Sequence, residues 1–253
     1  MLRLKNITQI FGGLTALEDV SFTVKEGSIT GVIGPNGAGK TTLFNVVTGL
    51  YTQTRGEVFL GGENISFLTT EELAIRGLVR TFQNVELFRR MTVLENVMVG
   101  LHTRSKSGIF SCAFKLPGQI REEKNIRKKS MEWLEFTGIA GLADVTAGNL
   151  PFGKGRLLEI SRALAAEPKI VLMDEPAAGL NSRETAELAL LIRKICQAGV
   201  TVVLVEHDMD LVMDVCESIV VLNLGQKLAE GTPREIQENP AVIAAYLGED
   251  NQD

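Results

Sequence analysis

A glycine-rich segment near the N-terminus carries the residue types with the most specific chemistry. It reads Gly34-Pro35-Asn36-Gly37-Ala38-Gly39-Lys40-Thr41-Thr42 and matches the pattern Gly-x-x-x-x-Gly-Lys-Thr. In such a loop the backbone N–H groups turn inward around phosphates, and the following helix points its positive end at them. Lys40 would neutralise the β- and γ-phosphates, and Thr41 would offer its hydroxyl to Mg²⁺. The segment predicts a site for a nucleoside triphosphate and Mg²⁺.

An apolar run that ends in two acids supplies the second part of this predicted site. Residues 170–173, Ile-Val-Leu-Met, predict a buried strand, and Asp174 and Glu175 follow it directly. The strand would bring Asp174 beside the phosphate loop, where its carboxylate can hold Mg²⁺ through water. Glu175 would lie closer to an attacking water, so we expect it to act as a general base or to orient that water.

Three further residues fit the same site, although each is a weak indicator by itself. Gln83 lies where the chain enters a helical block, and we expect it to contact Mg²⁺ and the attacking water. His207 follows an apolar strand, which predicts that it lies on the same sheet edge as Glu175. Phe11 ends the first strand and is expected to stack on adenine, although core packing is the common role of an aromatic residue.

The elements that would position these residues follow from the pattern of apolar side chains. Leu2 to Ile10 and Val20 to Val24 tend to alternate, as strands with one wetted face do. Residues 41–50 and 184–197 predict helices, and residues 200–205 predict another apolar strand. Continuous apolar strands that alternate with helices predict an α/β fold with a parallel sheet covered on both faces.

Residues 84–159 differ in composition from the segments on either side, and they predict an inserted helical subdomain. They are rich in helix formers and charge, and they include the basic stretch 121–129. We expect these charges to form a solvated helix face, with contact to anionic lipid head groups as the alternative. The rest divides into a nucleotide-binding core with antiparallel β elements, residues 1–83 and 160–236, and a C-terminal tail, residues 237–253.

Composition and charge exclude several classes of protein. Hydrophobic residues make up 45% and charged residues 23%, which is typical of a globular chain rather than a disordered one. The 26 basic and 31 acidic side chains give a net charge of −5, so we expect no nucleic-acid partner. The scattered cysteines, Cys112, Cys196 and Cys216, favour free thiols over a disulfide framework or a zinc site.

The sequence also lacks the segments that lead a chain into or across a membrane. No apolar leader follows Met1, and the longest apolar runs are far shorter than the ~20 residues that a membrane helix needs. We therefore expect a soluble, intracellular chain that other subunits would have to hold at a membrane.

Taken together, these residues resemble the ABC transporter ATPase family along nearly the whole chain. Phe11, the phosphate loop, Gln83, a helical block, the pair Asp174-Glu175 and His207 occur in that family's order. The signature loop of that family corresponds here to Leu150-Pro151-Phe152-Gly153-Lys154, which precedes the predicted strand that ends in Asp174 and Glu175. The resemblance implies a phosphate-loop cassette with a parallel-sheet core, an N-terminal antiparallel β subdomain and an inserted helical subdomain, with ATP and Mg²⁺ as ligands.

Finer features resemble the cassettes of branched-chain amino-acid importers. They lie in segments 11–17, 79–83, 91–97, 174–181, 205–209 and 244–248. This resemblance implies ATP hydrolysis coupled to amino-acid transport on the cytoplasmic face of the cell membrane. The implied partners are two transmembrane permease subunits, a second ATPase subunit and, indirectly, an external substrate-binding protein.

The signature loop departs from the family's usual Leu-Ser-Gly-Gly-Gln. Pro151 replaces the serine, Phe152 replaces a glycine, and Lys154 replaces the glutamine. The resemblance implies that this loop completes the ATP site of the second subunit, and Gly153 with the helix N-terminus after it would still bind an anion. The altered loop favours a related sister chain over a second copy of this chain as the partner.

Alternative functions stay open on the sequence. The cargo could be urea, another amide or another amino acid, because an ATPase subunit does not touch it. An ABC ATPase that acts on DNA or ribosomes usually has two cassettes, a long coiled coil or a basic surface, and the sequence has none of these. A GTPase or small-molecule kinase would leave His207 and the signature loop unexplained, and no Asn-Lys-x-Asp guanine reader is present.

Overall fold

The computed structural model describes residues 1–81, 86–102 and 117–247. The strands are β1 Leu2–Phe11, β2 Leu14–Val24, β3 Ile29–Ile33, β4 Arg55–Leu60, β5 Glu63–Asn64, β6 Leu78–Thr81, β7 Ile170–Asp174, β8 Thr201–Val205, β9 Ser218–Asn223 and β10 Gln226–Gly231. The helices are α1 Lys40–Val47, α2 Thr70–Ile75, α3 Val93–His102, α4 Pro117–Phe136, α5 Phe152–Ala165, α6 Ser182–Gln197, α7 Met209–Val215, α8 Pro233–Gln237 and α9 Pro240–Leu247.

A six-stranded sheet forms the centre of the molecule, in the order β10-β9-β3-β8-β7-β6. The five strands from β9 to β6 run parallel, and β10 pairs antiparallel at one edge. Every residue of β3, β7 and β8 is buried, as expected for parallel strands covered on both faces. The predicted parallel core is confirmed.

Successive residues of these strands point into two different apolar cores. Leu172 and Val203 pack on one face with α1 and the N-terminal strands. Val171 and Leu204 pack on the other face with α6 and α7. Because side chains alternate along a strand, each central strand contributes to both cores and fixes the two layers against one sheet.

The N-terminal strands form a separate antiparallel sheet in the order β2-β1-β4-β5. Leu2 lies opposite Val24, and Leu4 lies opposite Phe22. The sequence predicted only Val20 to Val24 of β2, and the strand instead begins at Leu14. Register shifts interrupt the pairing with β1, and Asp19 has a φ of 54°, so the period-two pattern is lost where the prediction failed.

The helical block packs α3, α4 and α5 around a third apolar core. Within this block Ile126 and Leu134 are buried, and Trp133 packs edge-on against Phe136. Helix α5 contributes to this core and to one core of the central sheet. The helix spans Phe152–Ala165 and therefore continues past residue 159, where the inserted subdomain was predicted to end.

Two helices differ in length from their predictions. Helix α1 spans Lys40–Val47 instead of residues 41–50, because Gly49 turns the chain with a φ of 70°. Helix α6 begins at Ser182 because Asn181 caps it, its side chain accepting the N–H groups of residues 183 and 184. No helix in the described ranges has the length and apolarity that crossing a membrane requires.

Candidate nucleotide site

The glycine-rich loop connects β3 to α1, at the carboxyl edge of the parallel sheet. Helix α1 begins at Lys40, so Thr41 and Thr42 belong to its first turn, which contains no acidic residue. The N-cap is Gly39, which has no side chain that could cap the helix. The positive end of α1 therefore faces the loop, which suits an anion.

Gly39 has the backbone and the surroundings that only glycine tolerates. Its φ is 99°, and a Cβ there would lie 2.8 Å from the carbonyl oxygen of Ala16 and 2.8 Å from Cδ2 of Leu17. Strand β2 thus packs directly against the turn, and any larger residue would push the loop away from it.

Lys40 brings a buried ammonium into the centre of the loop. The residue is 6% exposed, and Nζ donates to the carbonyl oxygens of Gly34 and Pro35 at 2.5 and 2.9 Å. These contacts fold the long side chain back over the loop, so that its positive charge lies among the backbone groups that would surround a phosphate.

One cleft of about 640 Å³ brings most of the predicted residues together. It is lined by Phe11, Leu14, Thr15, Ala16, Asn36, Gly37, Ala38, Gly39, Lys40, Thr41, Thr42, Glu175, His207, Leu224 and Gly225. Phe11 is 41% exposed and packs edge-on against Tyr51, with ring centroids 5.3 Å apart. The ring therefore stands at the rim of the cleft rather than in a core.

Strand β7 carries the two acids to this edge of the sheet. Asp174 is its last residue and is buried, and its carboxylate pairs with the guanidinium of Arg80. The chain turns at Glu175, whose φ is 46° and whose N–H donates to the carbonyl of Val205 at 2.8 Å. Glu175 therefore leaves the strand toward the end of β8.

His207 meets Glu175 at the mouth of the cleft. Its Nε2 lies 3.2 Å from Oε1 of Glu175, which places the two side chains on one sheet edge. Beneath them Glu206 is buried and accepts the N–H groups of Ala177 and His207 at 2.7 and 3.0 Å. Burial raises the pKa of the Glu206 carboxyl, and the backbone N–H donors oppose that rise.

Sequence reasoning missed Glu206 and Arg80 as members of this neighbourhood. Glu206 joins the loop after β7 to the loop after β8, and its only sequence signal was an acid directly before His207. Arg80 lies 94 positions from the acid that it contacts, so no local pattern could reveal the pair. Gln83, the remaining predicted residue of the site, lies outside the described residues.

The signature loop lies elsewhere on the chain's surface. None of residues 150–154 lines the cleft, although the structure describes all five. Pro151 is the N-cap of α5, so Gly153 belongs to the first helical turn instead of preceding the helix as expected. Phe152 is 53% exposed, and its ring packs beside Gly179 of the loop that follows β7.

Comparison with known proteins gives a consistent assignment. Residues 17–178 match the family model of ABC transporters, and residues 226–251 match that of the branched-chain amino acid ATP-binding cassette transporter. The chain is 46% identical to the high-affinity branched-chain amino acid transport ATP-binding protein BraF of Pseudomonas aeruginosa, over 98% of each chain.

Two solved structures share the fold. The ADP conformation of MJ1267, an ATP-binding cassette of an ABC transporter, matches with a TM-score of 0.86 and 35% identity, over 98% of each chain. The dimeric post-hydrolysis state of the ATP-binding cassette MJ0796, bound to ADP and Pi, matches with a TM-score of 0.78 and 29% identity, over 92% of this chain and 99% of that one. Since the family model covers more than half of the chain and BraF matches it almost end to end, the protein belongs to the ATP-binding subunits of ABC transporters and is an ABC-type ATPase.

Proposed function

We propose that this chain hydrolyses ATP to energise the import of branched-chain amino acids through a membrane ABC transporter. The observation that carries the ATPase chemistry is the cleft in which phosphate-loop residues lie together with Glu175 and His207. The cargo rests on the similarity to BraF, which extends over 98% of both chains.

The cleft suits ATP in both charge and shape. The phosphate loop and the N-terminus of α1 would hold the phosphates, and Lys40 would neutralise their charge. Phe11 would stack on the adenine, because its exposed ring borders the same cleft.

Thr41 and Asp174 would hold Mg²⁺, together with Gln83. Both described residues line a second cleft of about 920 Å³. Their hydroxyl and carboxylate oxygens are the hard donors that Mg²⁺ prefers, so the residues fit the ion. The bound ion would neutralise charge that develops on the phosphates.

Glu175 is the proposed general base, or the residue that orients the attacking water. Its carboxylate would take the proton of a water that attacks the γ-phosphate. His207 would hold this carboxylate in place through the 3.2 Å contact, and Glu206 supports His207 from below. Catalysis then depends mainly on positioning and on charge stabilisation.

The second half of the site would come from a partner ATPase subunit. The signature loop begins α5, a 14-residue helix with no acid in its first turn, and Lys154 adds a positive charge there. A lysine at a helix N-terminus does not stabilise the helix dipole, but it does favour an anion. We propose that residues 150–154 contact the ATP of a sister subunit, beneath two permease subunits on the cytoplasmic face of the membrane.

Substitution of Glu175 tests the catalytic assignment. In the assembled transporter, Glu175→Gln should leave ATP binding intact but lower turnover by about 10²-fold or more, because the amide cannot accept the proton of the water. Glu187→Gln, at an exposed position of α6, is the matched control and should keep normal turnover. Unimpaired turnover in Glu175→Gln would rule out this residue as the catalytic carboxylate.

The cargo is tested separately on the same assembly. Leucine, isoleucine or valine, delivered by the binding protein, should stimulate ATP hydrolysis, whereas urea or another amide should not. The reverse result would overturn the cargo and leave the ATPase assignment standing.

A further inference from the structure

Arg80 forms a nearly dry ion pair with the acid that ends β7. Its Nη2 donates to Oδ2 of Asp174 at 2.5 Å, and each of the two side chains is only 6% exposed. A buried carboxylate without a counter-charge is strongly unfavourable, and the guanidinium supplies that counter-charge to Asp174.

The guanidinium is fixed from a second side by α1. Its Nη1 donates to Oδ1 of Asn45 at 2.7 Å and approaches Oγ1 of Thr48 at 3.4 Å. Its carbon lies 5.6 Å from the ring centroid of Phe44, a cation–π distance. Arg80 thus joins β6, β7 and the helix that follows the phosphate loop, and a planar fork is needed to make these contacts together.

The same carboxylate is the one proposed to hold Mg²⁺. A cation there and the guanidinium of Arg80 would both be attracted to Asp174 and would repel each other. Without the metal, Arg80 would keep the acid from repelling a bound triphosphate. With the metal bound, Arg80 would compete with it for the carboxylate.

We propose that Arg80 is a positioning residue that sets how strongly nucleotide binding depends on Mg²⁺. It orients Asp174, supplies its counter-charge when no metal is bound, and holds the metal's contribution below what a bare carboxylate would give. This inference rests on the proposed function, in which Asp174 serves the metal of the ATP site.

The measurement is the ratio of two dissociation constants for AMP-PNP, an ATP analogue that resists hydrolysis. The dissociation constant of the full chain in excess EDTA is divided by that in saturating Mg²⁺, so a larger ratio means a stronger dependence of binding on Mg²⁺. In Arg80→Met we expect the ratio to rise by about tenfold, since a charge within hydrogen-bonding distance changes the cation affinity of a carboxylate by at least that factor. Arg76→Met is the control: it removes an arginine at the C-cap of α2 that pairs with the exposed Glu63, and it should leave the ratio unchanged.

A second substitution separates charge from simple structural support. In the double variant Arg80→Met with Asp174→Asn, binding in EDTA should return toward that of the unmodified chain, because no buried charge is left unpaired. If Arg80 had only a structural role, the losses of AMP-PNP affinity in the two single variants would instead add in the double variant. If Arg80→Met does not fold, Arg80→Lys carries the test, with a smaller rise because lysine keeps the charge but lacks the fork.

The outcomes distinguish this inference from the function on which it rests. A ratio that Asp174→Asn leaves unchanged would contradict the proposed metal site itself. A ratio that Asp174→Asn lowers toward one, but that neither Arg80→Met nor Arg80→Lys changes, would overturn the role of Arg80 alone.

Discussion

Glu175 occupies a backbone conformation that glutamate rarely adopts. Its φ of 46° lies in the left-handed region, where a residue with a Cβ stores about 1–3 kcal/mol of strain. Backbone hydrogen bonds hold this turn: the N–H of Glu175 donates to the carbonyl of Val205, and its carbonyl accepts the N–H of Ala178 at 3.1 Å. The turn ends the alternation of β7 and directs the carboxylate to His207, so the strain lies at the proposed catalytic group.

Replacing Glu175 should reveal this strain as a gain in stability. Glu175→Gly should be more stable than Glu175→Ala by about 1 kcal/mol, because only glycine adopts this conformation without cost. Both variants should lose ATP hydrolysis alike. Urea unfolding of the two proteins measures the difference directly.

Glu187 provides the control with the opposite sign. It lies inside α6, where glycine costs about 1 kcal/mol relative to alanine, so Glu187→Gly should be the less stable of that pair. An equal or lower stability of Glu175→Gly relative to Glu175→Ala would mean that the turn is not strained.

At this scale the sequence predicted the residues that belong to motifs and missed those that support them. Lys40, Glu175 and His207 follow strands whose parallel order brings their ends to one edge, so local patterns were sufficient to expect them together. Arg80 and Glu206 act through contacts between distant segments, and neither pattern nor spacing in one chain reports such contacts.

The N-terminus of α5 packs against the loop after β7 within the same subunit. The ring of Phe152 lies against Gly179, whose φ is 78° and whose missing Cβ would be 3.0 Å from Cε1 of Phe152. The neighbouring Gly153 approaches the carboxylate of Glu184, which belongs to the capping box of α6. The signature loop therefore contacts the segment that follows Glu175, the proposed catalytic acid.

Substitution of Gly179 tests this contact between elements. Gly179→Ala should destabilise the chain by about 1 kcal/mol more than Gly199→Ala does. Both glycines have a positive φ, but a Cβ at Gly199 would meet no atom of the described residues within 4 Å. The excess cost is thus the contact with Phe152, measured by urea unfolding.

A double variant supplies the decisive comparison. In a Phe152→Ala background, Gly179→Ala should cost no more than Gly199→Ala, because the ring that obstructs the new Cβ is gone. If the excess persists without the ring, its source is the backbone and not the packing of α5 on this loop.

Element prediction succeeded where apolar patterns were continuous and failed where they were interrupted. Strands β7 and β8 are buried throughout and were expected from their sequences. The first half of β2 was missed because exposed Leu14 and the shifted register around Asp19 remove the alternation that marks a strand. The start of α6 was missed because its cap, Asn181, contributes through geometry that the apolar pattern does not include.

On the scale of the whole molecule, the two features proposed to bind phosphate, the phosphate loop and the signature loop, lie apart on the chain. The cleft contains the phosphate loop and Glu175, and the described residues 150–154 do not reach it. The family resemblance implies that the site is divided between two subunits. Helix α1 packs in one apolar core and α5 packs in the other two, which is compatible with that division. A lone subunit should bind nucleotide with its own cleft but should hydrolyse it slowly without the partner's donors.

Lys154 allows binding and turnover to be separated in the assembled protein. Lys154→Glu should leave the affinity of the isolated chain for ATP unchanged, because the side chain lies outside that chain's cleft. In the assembled transporter the same change should slow hydrolysis by about 10²-fold, since a charge that would stabilise the partner's γ-phosphate is reversed. Lys128→Glu, at a 78% exposed position of α4, is the matched charge-reversal control and should affect neither quantity.

Equilibrium dialysis with ATP measures the affinity of the isolated chain, and the ATPase rate of the reconstituted transporter measures turnover. A loss of affinity in the isolated Lys154→Glu chain would contradict the division of the site between subunits, because Lys154 would then serve its own nucleotide.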